Sequence, residues 1–253
     1  MELTLLIPFL LIIAFASYVQ TVTGFALGMI VMGGVTMFNL LPIAFTSVII
    51  SIVSFANCVV ALKGNSKAID FKRVLLICCP LFPMTLLGLW LLNFMSAELN
   101  QLLQGLLGVT IITAGFMIML KPEPLSKPSH PGLFILSGAA AGFLAGLFSM
   151  AGPALVYLLY RQPFSMQTIR LCLLSVFLLS AVVRTSMVAA QGQLTLEMIT
   201  FSLICLPIVT LATWLGKHYP PPLTAQAQRH AAFFLLILIG VSLVIKNLWP
   251  LLG

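Results

Sequence analysis

Ala145-Gly146-Leu147-Phe148-Ser149-Met150-Ala151-Gly152-Pro153 interrupts an otherwise apolar stretch of chain, and Gln20-Thr21-Val22-Thr23-Gly24-Phe25-Ala26 does the same near the start. Each interruption closes a long apolar run and opens a short one: 3–22 then 25–38 around the first, 132–149 then 153–164 around the second. A helix crossing about 30 Å of hydrocarbon at 1.5 Å per residue needs about 20 residues. Runs 25–38 and 153–164 fall short of that length. The remaining runs, 40–61, 74–94, 102–120, 171–190, 198–215 and 231–249, are of spanning length or close to it. The pattern predicts an all-α polytopic membrane protein, with a short broken or re-entrant helical hairpin opening each half of the chain.

Composition excludes the alternatives at class level. Residues of the AVILMFWYC set make up 61% of the 253-residue chain, charged residues 7%, and the mean hydropathy is +1.17. A soluble domain carries about 45–50% apolar and about 25% charged residues. So few charges cannot cover a water-facing surface, which excludes soluble enzymes, nucleic-acid binders and disordered scaffolds. The net charge of +7 comes from twelve Lys and Arg scattered among loops and is no polyanion-binding surface. Cys58, Cys78, Cys79, Cys172 and Cys205 all lie inside apolar runs without metal-type spacing and read as packing residues. No cationic segment precedes the first apolar run at Met1-Glu2-Leu3, so a cleaved signal peptide is not expected.

The charges orient the spans. Lys63, Lys67, Lys72 and Arg73 lie between the third and fourth runs, Lys121 and Lys127 between the fifth and sixth, Arg161 and Arg170 around the seventh-to-eighth connection, and Lys217 and Arg229 before the tenth. Loop 95–101 offers only Glu98 and loop 191–197 only Glu197. Cytoplasmic loops carry the excess of Lys and Arg. The basic loops are therefore assigned to the cytoplasm of a multi-pass protein of a bacterial inner membrane, with the N-terminus outside. Hairpin 3–38 then enters from the outer face and hairpin 132–164 from the inner face; parity leaves open whether each crosses fully or turns back midway.

The halves also echo each other. Lys63-Gly64-Asn65 aligns with Gln191-Gly192-Gln193, Pro83 and Trp90 with Pro207 and Trp214, and Leu107-Gly108-Val109 with Ile239-Gly240-Val241. An odd number of segments per half places equivalent features on opposite faces. The expected division is a first transmembrane repeat at 1–121, a cytoplasmic linker at 122–131 and a second, inverted repeat at 132–253. Inverted repeats with broken helices near the midplane are a transporter arrangement; duplication without a mechanistic role is the alternative.

With these motifs in order, the chain resembles the sulfite exporter TauE/SafE family of membrane transporters, also called toluene-sulfonate uptake permeases. The likeness rests on Gln20 to Ala26, Asn57, Gly64, Ile69-Asp70 and Gly88 in the first half, and on Ala145 to Pro153, Arg170, Gly192, Leu194-Thr195 and Gly216 in the second. Ser149 stands where the family pattern has Gly, and Thr210 to Thr213 lack the Gly common after Pro207. The resemblance implies transport of sulfite, organosulfonates or other small organic anions.

The residues suggest how. An anion entering hydrocarbon must have its hydration replaced, and a helix N-terminus offers free N–H groups and about half a positive charge. Both short arms begin at a break, so their N-termini are expected to meet near the midplane. Thr23 is expected to cap the helix after Gly24, with Pro153 at the first helical position after Gly152. The expected substrate-binding residues are Thr21, Thr23, Gly24, Asn57, Ser149, Gly152, Pro153 and Arg184, with a helix–helix hydrogen bond the alternative for Asn57. Arg184, the one charge well inside a span, is either a substrate contact or an Arg that snorkels or bonds a carbonyl. Gly138, Gly142 and Gly146 read as packing residues.

No Asp or Glu lies within a span, so a carboxylate proton relay has no parts. His130, His218 and His230 read as loop residues. With no P-loop, metal cluster or nucleophile–base pair, neither a cofactor nor enzymatic activity is expected. The partners are then the lipid bilayer and a small anion, with or without a coupling ion, and no nucleic acid. Secondary transport by alternating access is the leading expectation; a passive anion channel and a non-transporting membrane scaffold subunit are the alternatives.

Overall fold

The structure, a computed structural model, describes residues 3–63, 69–119, 125–220 and 225–252. All regular structure among them is helical: α1 (Leu3–Thr23), α2 (Leu27–Met37), α3 (Ile43–Leu62), α4 (Phe71–Glu98), α5 (Asn100–Met119), α6 (Pro131–Phe148), α7 (Gly152–Tyr160), α8 (Met166–Ala190), α9 (Leu196–His218) and α10 (Ala225–Leu252). Among the described residues, seven helices (α1, α3, α4, α5, α6, α8 and α9) are long and apolar enough to cross a membrane, and α10 has a shorter apolar stretch, Phe233–Asn247. The two short helices are the ones expected: α2 has 11 residues and α7 has 9. Gly64, Asn65, Lys67, Lys121 and the first part of linker 122–131 lie outside the described residues.

Local chemistry sets the helix starts. The Asp70 side chain accepts from Arg73 N at 3.2 Å before α4, and Ser165 accepts from Thr168 N at 3.2 Å before α8. Thr195 accepts from Met198 N at 3.3 Å before α9. Each satisfies a first-turn N–H that the helix itself leaves open. The loop expected at 95–101 shrinks to one residue, Leu99. Leu99 N still donates to Met95 O, and its carbonyl accepts from Leu103 N, so helical bonding runs through the bend. His218 closes α9 and His230 lies inside α10 rather than in a loop.

α8 is the central helix: 67% of its span is buried, against 33% for α1 and α9. The periphery exposes Leu11, Phe15, Leu75, Trp90, Leu211 and Phe234, an apolar belt suited to lipid. Burial of apolar surface gives helices in lipid little reason to associate, so close backbone approach has to supply the contact. The α4–α6 seam is built that way. A Cβ at Gly138, Gly142 or Gly146 would run into the carbonyl of Ile77, Leu81 or Thr85, and one at Gly88 into the carbonyl of Phe143. Gly138, Gly142 and Gly146 are packing residues, as expected, and Gly88 joins them in the seam. Gly108 of α5 and Gly240 of α10 face each other's carbonyls in a second such seam.

Most of the helix contacts come in related pairs. α1 packs on α9 and α6 on α4; α3 on α9 and α8 on α4; α2 on α10 and α7 on α5. Each pair becomes its companion when helix numbers are shifted by five. α3 with α8, and α5 with α10, map onto themselves.

Candidate functional site

α1 runs unbroken to Thr23, further than the expected cap position allows. Thr23 Oγ1 donates back to Val19 O at 2.8 Å and lies 2.9 Å from Phe25 O, so the hydroxyl serves the end of α1. The cap of α2 is Ala26, at φ 90. Gln20 does what Thr23 was expected to do: its Oε1 accepts from Leu27 N at 3.2 Å. Gly24, at φ +87, stops α1 in the left-handed region that glycine enters without strain. It faces Arg170, whose Cγ lies 3.0 Å from where a Cβ would sit. An alanine held at positive φ costs about 1–3 kcal/mol, so the Gln20 bond offsets real strain at Ala26.

Asn57 organises the space behind this break. It is fully buried on α3. Its Nδ2 donates to Ser17 O at 3.1 Å, Thr21 Oγ1 at 3.0 Å and Thr213 Oγ1 at 2.6 Å. Its Oδ1 accepts from Gln20 Nε2 at 3.0 Å, which fixes the amide so that Oε1 faces Leu27 N. Thr21 also donates to Ser17 O at 2.7 Å. Asn57 and Thr21 are thus occupied with helix–helix bonds.

At the second break, α6 stops at Ser149, which takes φ 56. The position where the family pattern has Gly is a left-handed one. Serine holds it because Oγ donates to Ser47 O at 2.6 Å and sits 2.9 Å from Ser51 Oγ. α7 then begins at Gly152, one residue before the expected start, which puts Pro153 second in the first turn, where the missing N–H still costs no helical bond. Ending α6 frees the carbonyl of Gly146. Arg184 takes it with Nε at 3.3 Å and Nη2 at 3.2 Å, and adds Ser47 Oγ at 2.7 Å and Ser51 Oγ at 3.4 Å. At 1% exposure Arg184 does not snorkel; it is a carbonyl-bonded Arg. A cation at a helix C-terminus also faces the negative end of the helix dipole.

The two breaks come together. A Cβ on Gly28, in the first turn of α2, would sit 2.7 Å from Ser149 O. Around this contact lies a pocket of about 40 Å3, walled by Gln20, Ala26, Gly28 and Met29 from the first break and by Ser149, Met150, Ala151 and Gly152 from the second. α3 adds Ser51 and Ser54; α8 adds Phe177, Ser180, Ala181 and Arg184. Ser149, Gly152 and Arg184 are therefore brought together as expected. Thr21, Thr23, Gly24, Asn57 and Pro153 are not pocket-wall residues; they shape the breaks behind it. The wall joins first-turn N–H groups of two helices, serine hydroxyls and one guanidinium, with one Nη1 hydrogen left after the bonds above. That set suits an anion. Among the described residues no group of His, Cys, Asp and Glu could hold a metal.

Ser51, Ser54, Met29 and Phe177 were not singled out from sequence, and Gln20 and Thr213 entered only through the family pattern, not as site residues. Ser47, Ser51 and Ser54 recur at helical spacing on one face of α3, as do Ser180 and Arg184 on α8, so part of this wall had a readable signal.

The sulfite exporter TauE/SafE family matches residues 9–243. The chain belongs to that family. A relative from Cupriavidus necator, named probable sulfite/organosulfonate exporter TauE, is 39% identical over 248 residues, covering 97% of each chain. A second, from Comamonas testosteroni, named probable inner membrane transporter protein TsaS, is 30% identical over 171 residues, 65% of this chain and 67% of its own. No solved structure matches. Family and fold together make this TauE/SafE protein a multi-pass membrane transporter and not an enzyme.

Proposed function

We propose that this transporter moves small sulfur oxyanions, sulfite or short organosulfonates, by alternating access around the pocket between the two breaks. The observation that carries the reading is the convergence of both helix N-termini, α2 and α7, with Arg184 on one pocket. Arg184 lies six residues from the Ala190 end of α8, and Phe177 thirteen, which puts the pocket about 10–20 Å from that end at 1.5 Å per residue. In a hydrocarbon layer about 30 Å thick this is a midplane site. The relatives' names support sulfite and organosulfonates as the class.

Two inverted repeats follow from the same reading. It is supported by helix contacts that repeat on shifting by five, by helix caps at Asp70 and Thr195, and by Gly108 meeting Gly240. Asn57 and Arg184 also play parallel parts, each binding a carbonyl toward the end of its own half's first helix: Ser17 O and Gly146 O. The basic loops face the cytoplasm of an inner membrane, the N-terminus faces outward, and the Lys and Arg side chains there draw anions to the inner mouth.

Gly152 offers the cleanest test. A Cβ there meets nothing nearer than Met29 Cε at 3.6 Å and Phe177 Cζ at 3.9 Å. The Cβ itself meets no backbone within 4 Å, and the rest of a Gly152→Leu side chain takes up pocket space against Met29 and Phe177. Reconstituted into liposomes, the wild-type protein is expected to give saturable sulfite flux with counterflow, and the variant to insert normally and give none. Equal flux from the two proteins would overturn the site; flux without saturation or counterflow would make the protein a channel.

A further inference from the structure

We infer that Phe177, with Met29, sets the length of the organic group the pocket accepts. The inference rests on the anion-site reading and adds the chemistry of the occupant. The pocket wall is not uniform. Ser51, Ser149 and Arg184 gather at one end through the bonds already described. Met29 and Phe177 close over Gly152, with Met29 Cε and Phe177 Cζ the nearest atoms to a Cβ built there, at 3.6 and 3.9 Å. An occupant whose oxyanion binds the hydroxyl–guanidinium end therefore directs any carbon substituent toward a thioether and a ring.

Spacing on α8 fixes the distance between the ends. Phe177 and Arg184 are seven residues apart on one helix, two turns, so both point to the same face. Their Cα atoms stand about 10 Å apart along the axis at 1.5 Å per residue. The pocket volume of about 40 Å3 is room for about three water-sized groups. An oxyanion head takes up nearly all of that space, so one or two carbons already reach Met29 and Phe177, and a butyl or aryl group runs into the ring. A serine-lined head site alone would take inorganic oxyanions without needing the apolar end, so the pairing of the two points to a short alkyl sulfonate.

The experiment is a chain-length series in proteoliposomes: sulfite, methanesulfonate, ethanesulfonate, butanesulfonate and benzenesulfonate, each flux divided by the same protein's sulfite flux. The wild-type protein is expected to drop by about tenfold or more between ethane- and butanesulfonate, the lower end of what one ill-fitting methylene costs a shaped pocket. Phe177→Ala is expected to recover most of that drop and to admit the aryl anion. Met29→Ala, read in its place if Phe177→Ala does not insert, is expected to move the cut-off in the same direction by less. An unchanged cut-off in an inserted variant that still carries sulfite would overturn the inference and leave the anion site standing. Loss of sulfite along with the rest in Phe177→Ala would make the ring part of the head site and would equally overturn it. Absence of flux for every anion in the wild-type protein would overturn the anion-site reading and this inference with it.

Discussion

Arg184 donates to the carbonyl of Gly146 through two nitrogens, Nε at 3.3 Å and Nη2 at 3.2 Å, so one side chain of α8 closes the open end of α6. The carbonyl is open because Ser149 has turned the chain out of the helix. Arg184 therefore holds the second break in place and lends its charge to the pocket the break forms.

That double duty predicts how Arg184→Lys behaves. An ammonium keeps the charge but cannot reproduce a planar fork that reaches Gly146 and both serines. Hydrogen bonds to charged groups are worth about 1.5–3 kcal/mol each, so the purified variant should melt clearly below the wild type in detergent. Its sulfite KM should rise at the same time. A variant that melts lower but keeps its KM would limit Arg184 to holding α6.

The α4–α6 seam gives a prediction independent of substrate. Gly142 is pressed against Leu81, with Leu81 Cα 2.8 Å from the position of a Cβ. The obstacle is backbone and cannot rotate away. Gly142→Leu should cost at least the 1–3 kcal/mol, roughly, of ordinary overpacking, seen as poor membrane yield or a lowered melting temperature. Gly152→Ala, whose Cβ makes only ordinary contacts, should melt like the wild type.

Ser149 allows the backbone to be separated from the hydroxyl. Ser149→Gly and Ser149→Ala both delete the bonds to Ser47 O and Ser51 Oγ, but only alanine still pays for φ 56. The alanine variant should be less stable than the glycine variant by about 1 kcal/mol, readable as a difference in melting temperature. Equal melting points would mean that α6 no longer ends in the left-handed conformation once the hydroxyl is gone.

The broad fold was legible because bilayer thickness converts apolar run length into helices. Two runs too short to span became α2 and α7 at nearly the expected bounds. The geometry of the two breaks was legible at Ser149, Gly152 and Arg184, where polar or small residues stand out against an apolar background. It was not legible at Thr23, since composition cannot say whether a Thr at a break serves the helix behind or ahead of it. A bond to Val19 O decides that, and it belongs to the three-dimensional end of α1. Nor could Asn57 and Thr213 be paired across 156 positions of sequence, although their side chains meet at 2.6 Å. Phe177 and Met29 were hidden for the opposite reason: an aromatic and a Met in apolar helices look the same whether they face lipid, core or substrate.

The most direct test is to see the anion. Bromomethanesulfonate, bound to the purified transporter, places an anomalous scatterer on the carbon next to the sulfonate. The account predicts sulfonate oxygens at Ser149, Ser51 and Arg184, with the bromine over Gly152 toward Phe177 and Met29. A bromine peak confined to the basic loops, with the space between Ser149 and Gly152 free of anion density, would contradict it.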